Sequence, residues 1–402
     1  MFRRIVACSR QFAWSCMHSF AHTYLRTAPV AAASEPHRRH ARDAGPLHIL
    51  LVAAVILTAG VVGAPGRAQE IWPTPGGWAS APPEAVGMDP ARTAAAIAYG
   101  RDRGGSGILV RAGQRVGGWG DPAARYILRS TTKSFGAVLL GLAFQDGRLG
   151  LDTPVQTWLP ELGVPQATAE ATAWLSQITV RQLANHTAGF AKPGGFEPLL
   201  FPPGTAWFYS DGGANWLADL LTVSYMTDLQ TLLRSRVLAP MGIGDEQLVW
   251  RRNAYRTPTL RGVERREFAS GISTSVDVMA RFGLMLLRDG RWQFAQILPP
   301  TFPDQAGRPG DGLGNLPCLD PDPKKCPGAT NQYGILFWTN GDGHVPDLPL
   351  DAYWAAGQGT SFILVVPSLD LVAARAGPTW PGPSDANLMN PFFSLVSQAA
   401  NP

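Results

Sequence analysis

The sequence predicts an α+β fold, in which an antiparallel sheet is flanked by helices and a second, mostly helical lobe is set into the chain. Three observations point to it. Residues 107–119 (GILVRAGQRVGGW) read as a hairpin turning at Ala112-Gly113-Gln114. Strand-like runs return late, at 332–339, 361–366 and 371–374. Helical signals dominate between them, so the sheet has to be assembled from both ends of the chain.

A chain of 402 residues that is 45% apolar can bury a sizeable core, as one large domain or two interleaved ones. The division expected is a leader over 1–68, a sheet domain from 69–149 together with 268–402, and a mostly helical region over 150–267. In the leader, residues 47–64 (LHILLVAAVILTAGVVGA) are almost wholly apolar and follow the basic stretch His37-Arg38-Arg39-His40-Ala41-Arg42. Gly66-Arg67-Ala68 resembles a small-residue cleavage site. The segment reads as a secretory signal, or as a membrane anchor if it stays uncleaved, since about eighteen apolar residues can just span a bilayer. The expected location is exported and periplasmic, with inner-membrane anchoring through 47–64 as the variant.

The formal charge of +4 belongs to that leader, because residues 1–68 carry eight Arg against Glu35 and Asp43. Without them the chain is close to −2, so the basic balance is no argument for a nucleic-acid partner. Cys8 and Cys16 also fall in the leader. Cys318 and Cys326 remain, in a stretch rich in Pro, Asp and Lys, and in an oxidising compartment they are expected to form a local disulfide. A zinc site there would need more ligands, and after the leader only His186 and His344 remain.

Along the chain, residues 71–92 are rich in Pro, Gly and Ala and lead into a helix over 90–99 opened by Pro90. The hairpin follows. From 130 to 145, Phe135, Val138, Leu139, Leu142 and Ala143 recur at helical spacing and Asp146-Gly147 supplies a stop, which puts Ser130 at a helix N-terminus. Further helices are expected over 180–185, 214–221 and 276–288, with a closing helix over 391–399.

Ser130-Thr131-Thr132-Lys133 is an S-x-x-K motif, and on a helix its spacing places hydroxyl and amine on one face. A serine hydroxyl is a poor nucleophile until a base lies within hydrogen-bond reach. A lysine serves as that base only if burial or a positive field lowers its pKa, and the N-terminal end of the helix dipole acts in that direction.

Residues 128–155 (LRSTTKSFGAVLLGLAFQDGRLGLDTPV) resemble the nucleophile helix and following turn of class C β-lactamases and related esterases, within the penicillin-binding-protein and serine β-lactamase superfamily. Residues 178–190 (ITVRQLANHTAGF) resemble the helix and His-Thr-Ser-Gly loop of that family. Pro203-Gly204-Thr205 and Tyr209-Ser210-Asp211 resemble its P-G-T and Y-x-N elements, and 271–281 and 355–371 look like two more of its landmarks. The resemblance covers about 85–380 and implies a β-lactamase/DD-peptidase-like fold and acyl-enzyme chemistry that needs no cofactor, but not the substrate, for which a small ester or amide is the expectation.

Carried over residue by residue, Ser130 is the nucleophile, Lys133 the base, and Tyr209 the phenol that relays a proton to the leaving group. Oxyanion donors would be the backbone amides of Ser130 and Thr360. Two departures stand out. Where the family has Lys-Thr-Gly, this chain has Gly357-Gln358-Gly359, without a cation for a substrate carboxylate. Where it has Asn, this chain has Asp211, an acceptor-only group if ionised, which would also raise the pKa of Lys133. Either Asp211 is protonated, or it points away, or the substrate lacks the amide that Asn would bind. Both departures fit the family's esterases and 6-aminohexanoate-oligomer hydrolases better than its lactamases. A true β-lactamase or DD-peptidase, and a non-hydrolysing binding or sensor protein, are the competing readings. Trp207, Phe208, Tyr353 and Trp354 flank the site in sequence and could wall an acyl pocket or pack the core. A Ser-His-Asp triad is disfavoured, since the G-x-S-x-G elbow is missing and His186 is better placed to fix its loop.

Overall fold

The hairpin forms as its turn chemistry requires: β1 (Ser106–Arg111) pairs antiparallel with β2 (Gln114–Trp119) around Ala112 and Gly113. Both turn residues take positive φ, 51° and 75°, the two-residue geometry whose twist matches that of the strands. Gly113 is also needed for space, because a Cβ there would lie 2.1 Å from the Ile71 carbonyl oxygen. The chain, a computed structural model, is described over residues 70–320, 332–382 and 385–400. The leader over 1–68 and Cys326 lie outside the described residues.

Four late strands complete the sheet: β3 (Trp338–Thr339), β4 (Tyr353–Gly357), β5 (Ser361–Val366) and β6 (Leu371–Ala376). The order is β3-β4-β5-β6-β1-β2, antiparallel throughout, so the two ends of the chain meet where β1 pairs with β6. Helices cover both faces, which is why β5 reads as an unbroken apolar run, SFILVV. Ile363 and Val365 of β5, with Val372 and Ala374 of β6, pack toward the helices Thr132–Gln145 and Val276–Leu287. Phe362, Leu364 and Val366 face the other way, with Leu371 and Ala373, onto Phe392, Phe393 and Val396 of the last helix. That helix, Asp385–Ala400, starts earlier than expected and contains Pro391.

The region between holds one long helix, Asp211–Tyr225, and short ones at Ala169–Trp174, Val180–Ala184 and Leu229–Leu233, joined by loops. One expectation needs correction: only Trp338–Thr339 of the run 332–339 is strand. Ile335 and Leu336 donate their backbone N–H groups to the carbonyls of Ala306 and Ala184, so this segment pairs with helix ends instead of a neighbouring strand. Leu336 has φ 57°, and a Cβ on Gly334 would sit 2.2 Å from Ala306 O.

Phe135 and Phe282 stack between the two inner helices with ring centres 4.1 Å apart, both fully buried. Phe135→Ala is expected to lower unfolding free energy by about 3–5 kcal/mol, measured by denaturant titration. A loss under about 1 kcal/mol would mean that this contact is not part of the core.

Candidate active site

Ser130 lies in a 3-10 turn, Arg129–Thr131, that runs directly into the helix Thr132–Gln145, one turn ahead of the α-helix itself. Thr131 and Gly357 fix the turn to the sheet. Thr131 Oγ1 donates to Ser361 O at 3.2 Å, and a Cβ on Gly357 would meet Leu128 O at 2.2 Å, so only glycine lets the end of β4 approach this closely. The residues Gly357-Gln358-Gly359 therefore do reach the Ser130 turn, with Gln358 exposed.

Lys133 follows three residues later on the same face. It is 1% exposed, and its Nζ donates to Ser130 Oγ at 3.2 Å, to Ala269 O at 3.2 Å and to Asp211 Oδ1 at 2.5 Å. Ser130 Oγ is itself directed at Ala269 O, 3.4 Å away. Asn215, fully buried, sets that carbonyl by accepting the Phe268 and Ala269 N–H groups on its Oδ1 while its Nδ2 donates to Gly194 O.

Ser210 caps the helix Asp211–Tyr225: its Oγ accepts from Gly213 N and donates to Ala191 O. Asp211 thus stands in the first helical turn, where the dipole favours a negative charge. The helix begins at 211 and ends at 225, longer at both ends than the 214–221 expected, because Gly212 and Gly213 are drawn in by the cap. Gly212 is needed there, since its Cβ would lie 2.8 Å from Pro193 O.

Asp211 neither points away nor is protonated. Its second oxygen accepts from Lys192 Nζ at 2.8 Å, and although burial pushes its pKa up, Lys133 and Lys192 together bring it down to about 2. The lysine answers in kind. Burial alone would lower Lys133, but Asp211 and the hydrogen-bonded Tyr209 outweigh it and its pKa is raised. Two of the three possibilities opened by Asp211, a protonated carboxyl and one turned away, are thereby set aside.

Tyr209 packs between charges and rings. Both ammonium groups lie over its ring, Lys133 at 4.9 Å and Lys192 at 4.4 Å, and Trp338 stacks on it with centres 6.0 Å apart. His186, with φ 65°, accepts from Ser210 N on Nδ1 and faces Tyr333 Oη at 3.1 Å through Nε2. Burial, and next Lys133, hold its pKa well below the ordinary histidine value, so it is neutral. It braces the Tyr209 segment and forms no Ser-His pair. Trp207, Phe208, Tyr353 and Trp354 are all buried. Trp207 bridges to Cys318, which is disulfide-bonded.

Thr360 is buried with φ 61°, an uncommon conformation for a β-branched residue. Its Oγ1 donates to Gly359 O and accepts from Arg375 Nη1, each at 2.6 Å, and from Trp380 N at 3.2 Å. Such over-determination is what keeps a strained turn in place. Lys192, Asn215 and the Ala269 carbonyl were not legible as site groups. No local motif marks them, because their contacts run between a loop and a helix start.

Residues 93–392 match the β-lactamase family, and the chain belongs to it. Its fold is that of the serine hydrolases of that family. Among solved structures it is similar to a candidate β-lactamase of Bacteroides dorei at 17% identity and TM-score 0.61, covering 78% of this chain and 100% of that one. A candidate 6-aminohexanoate-dimer hydrolase of Bacillus anthracis has 15% identity and TM-score 0.56, covering 73% and 79%. Simvastatin synthase of Aspergillus terreus has 15% identity and TM-score 0.58, covering 79% and 98%. At these identities the likeness is one of fold. A sequence search of curated proteins gives no match.

Asn215→Ala would orphan two buried N–H groups, and a loss on the order of 1–3 kcal/mol for each is expected in chemical unfolding. An unchanged midpoint would mean that the Ala269 carbonyl is held by something else.

Proposed function

We propose that this protein hydrolyses small esters or amides through an acyl-enzyme on Ser130. The observation that carries the reading is the contact of Ser130 Oγ with a buried lysine at 3.2 Å, ahead of a helix and beside the β4 end. Ser130 attacks the acyl carbon and its proton passes to neutral Lys133. The oxyanion sits against the Ser130 and Thr360 amides. Lys133, through Tyr209, returns a proton to the leaving group, and water then releases the acid with the same groups in reverse.

Two features favour esters or linear amides over β-lactams. Gly357-Gln358-Gly359 offers no ammonium, and Asp211 presents a carboxylate where the family pattern has an amide. The disulfide at Cys318 supports an exported location, with residues 47–64 as signal or anchor.

Purified protein is expected to turn over p-nitrophenyl acetate, p-nitrophenyl butyrate or a short linear amide, and Ser130→Ala to lose at least about 10³-fold of that activity. Nitrocefin turnover outpacing the esters would make it a β-lactamase, and no serine-dependent turnover would favour a binding protein.

Only neutral Lys133 can accept the serine proton, and Asp211 keeps it charged. The reactive fraction therefore grows as pH rises, and the ascending limb of the kcat/KM profile is expected at high pH. Asp211→Asn removes the raising influence and should move that limb to lower pH. A limb that stays in place would exclude Lys133 as the titrating base.

A further inference from the structure

The cation missing from β4 has a counterpart on another element. Lys192 Nζ stands over the Tyr209 ring and against Asp211, and its side chain is 41% exposed where that of Lys133 is 1%. The loop that carries it is pinned. Asp211 N donates to Lys192 O at 2.9 Å, Ser210 Oγ to Ala191 O at 2.8 Å, and Asn215 Nδ2 to Gly194 O at 2.8 Å. Arg256 Nη2 reaches both Gly195 O at 2.7 Å and Gly212 O at 3.1 Å, tying the loop to the helix start.

Charge counting gives this lysine a use. One carboxylate serves two ammonium groups, so with Lys133 protonated the three carry one positive charge in excess, and when Lys133 gives up its proton Lys192 is the cation that remains. Glu267, whose carboxyl senses the charge of Asp211, is bound at 2.5 Å by Arg251 and does not neutralise it. Lys133 is buried against Ser130 and Asp211 is 20% exposed, which leaves Lys192, at 41%, as the cation of the three that solvent, and hence a substrate, can reach. A point charge on a fixed loop suits a carboxylate, which gains a charge-assisted hydrogen bond without the protein having to order itself.

We propose that Lys192 is a specificity-determining residue that selects esters or amides bearing a carboxylate, or another anionic group, away from the scissile bond. The proposal rests on the serine-hydrolase reading above. The anion docks on the solvent side of the Tyr209 ring, on the loop after His186, and not beside Gly357-Gln358-Gly359.

The test compares kcat/KM of the full chain for 4-nitrophenyl hexanoate and mono-4-nitrophenyl adipate, acyl groups of equal length that differ in a terminal carboxylate. In Lys192→Gln the adipate-to-hexanoate ratio is expected to fall about tenfold or more, mainly through KM, the worth of one charged hydrogen bond. Lys192→Arg should keep most of it. In the wild type, added salt should depress adipate turnover more than hexanoate turnover, a measurement that stands if the Gln variant does not fold. Equal losses on both esters in Lys192→Gln, or a wild-type ratio insensitive to salt, would overturn the proposal while leaving the hydrolase reading intact. Absence of any turnover that Ser130→Ala abolishes would overturn both.

Discussion

A charged lysine almost wholly removed from water costs several kcal/mol unless its charge is answered. In this protein Asp211 answers it, and much of the local architecture serves that meeting. The cap at Ser210 places the carboxylate in the first turn of its helix, the helix dipole supports the charge, and Gly212 lets the neighbouring loop come near enough for Lys192 to share it. The result is a short row of alternating charges that begins beside Ser130 and ends at solvent. Its inner end is held by the Ala269 carbonyl, which depends in turn on the amide of Asn215.

The rest of the fold delivers three distant stretches to that row. The Ser130 turn rests on the end of β4 through Gly357, the Tyr209 segment is braced by His186 and the rings around Trp338, and the Gly359-Thr360 turn is locked from behind by Arg375. Each contact is short-range and specific, whereas the sheet and its two helical layers only require apolar residues in runs along the covered strands and at helical spacing in the helices. Core and site thus ask different things of the sequence, periodicity in one case and individual atoms in the other.

That difference explains what could be read in advance. Strands such as β5 and helices such as Val276–Leu287 follow from apolar patterning, and the hairpin from its turn residues, although Gln114, read as part of the turn, already belongs to β2. The pairing of β1 with β6 follows once both ends are seen to be strands. The run 332–339 misled because its apolar residues are buried against helix ends, and burial alone does not distinguish that from a strand. Ser130, Lys133, Tyr209 and Asp211 were legible because they sit in short motifs. Lys192 and Asn215 were not, since their roles arise from loop-to-helix contacts that no local spacing encodes.

The approach of Pro193 O to Gly212, together with the bonds from Asn215 and Arg256 to the same loop, also bears on how such a site could change over time. The loop and the helix start form a single mechanical block. Shuffling the loop alone into a homologue with a bulkier residue at the position of Gly212 would leave it without a seat. A change at the glycine would therefore be felt along the whole charge row and not at the loop alone.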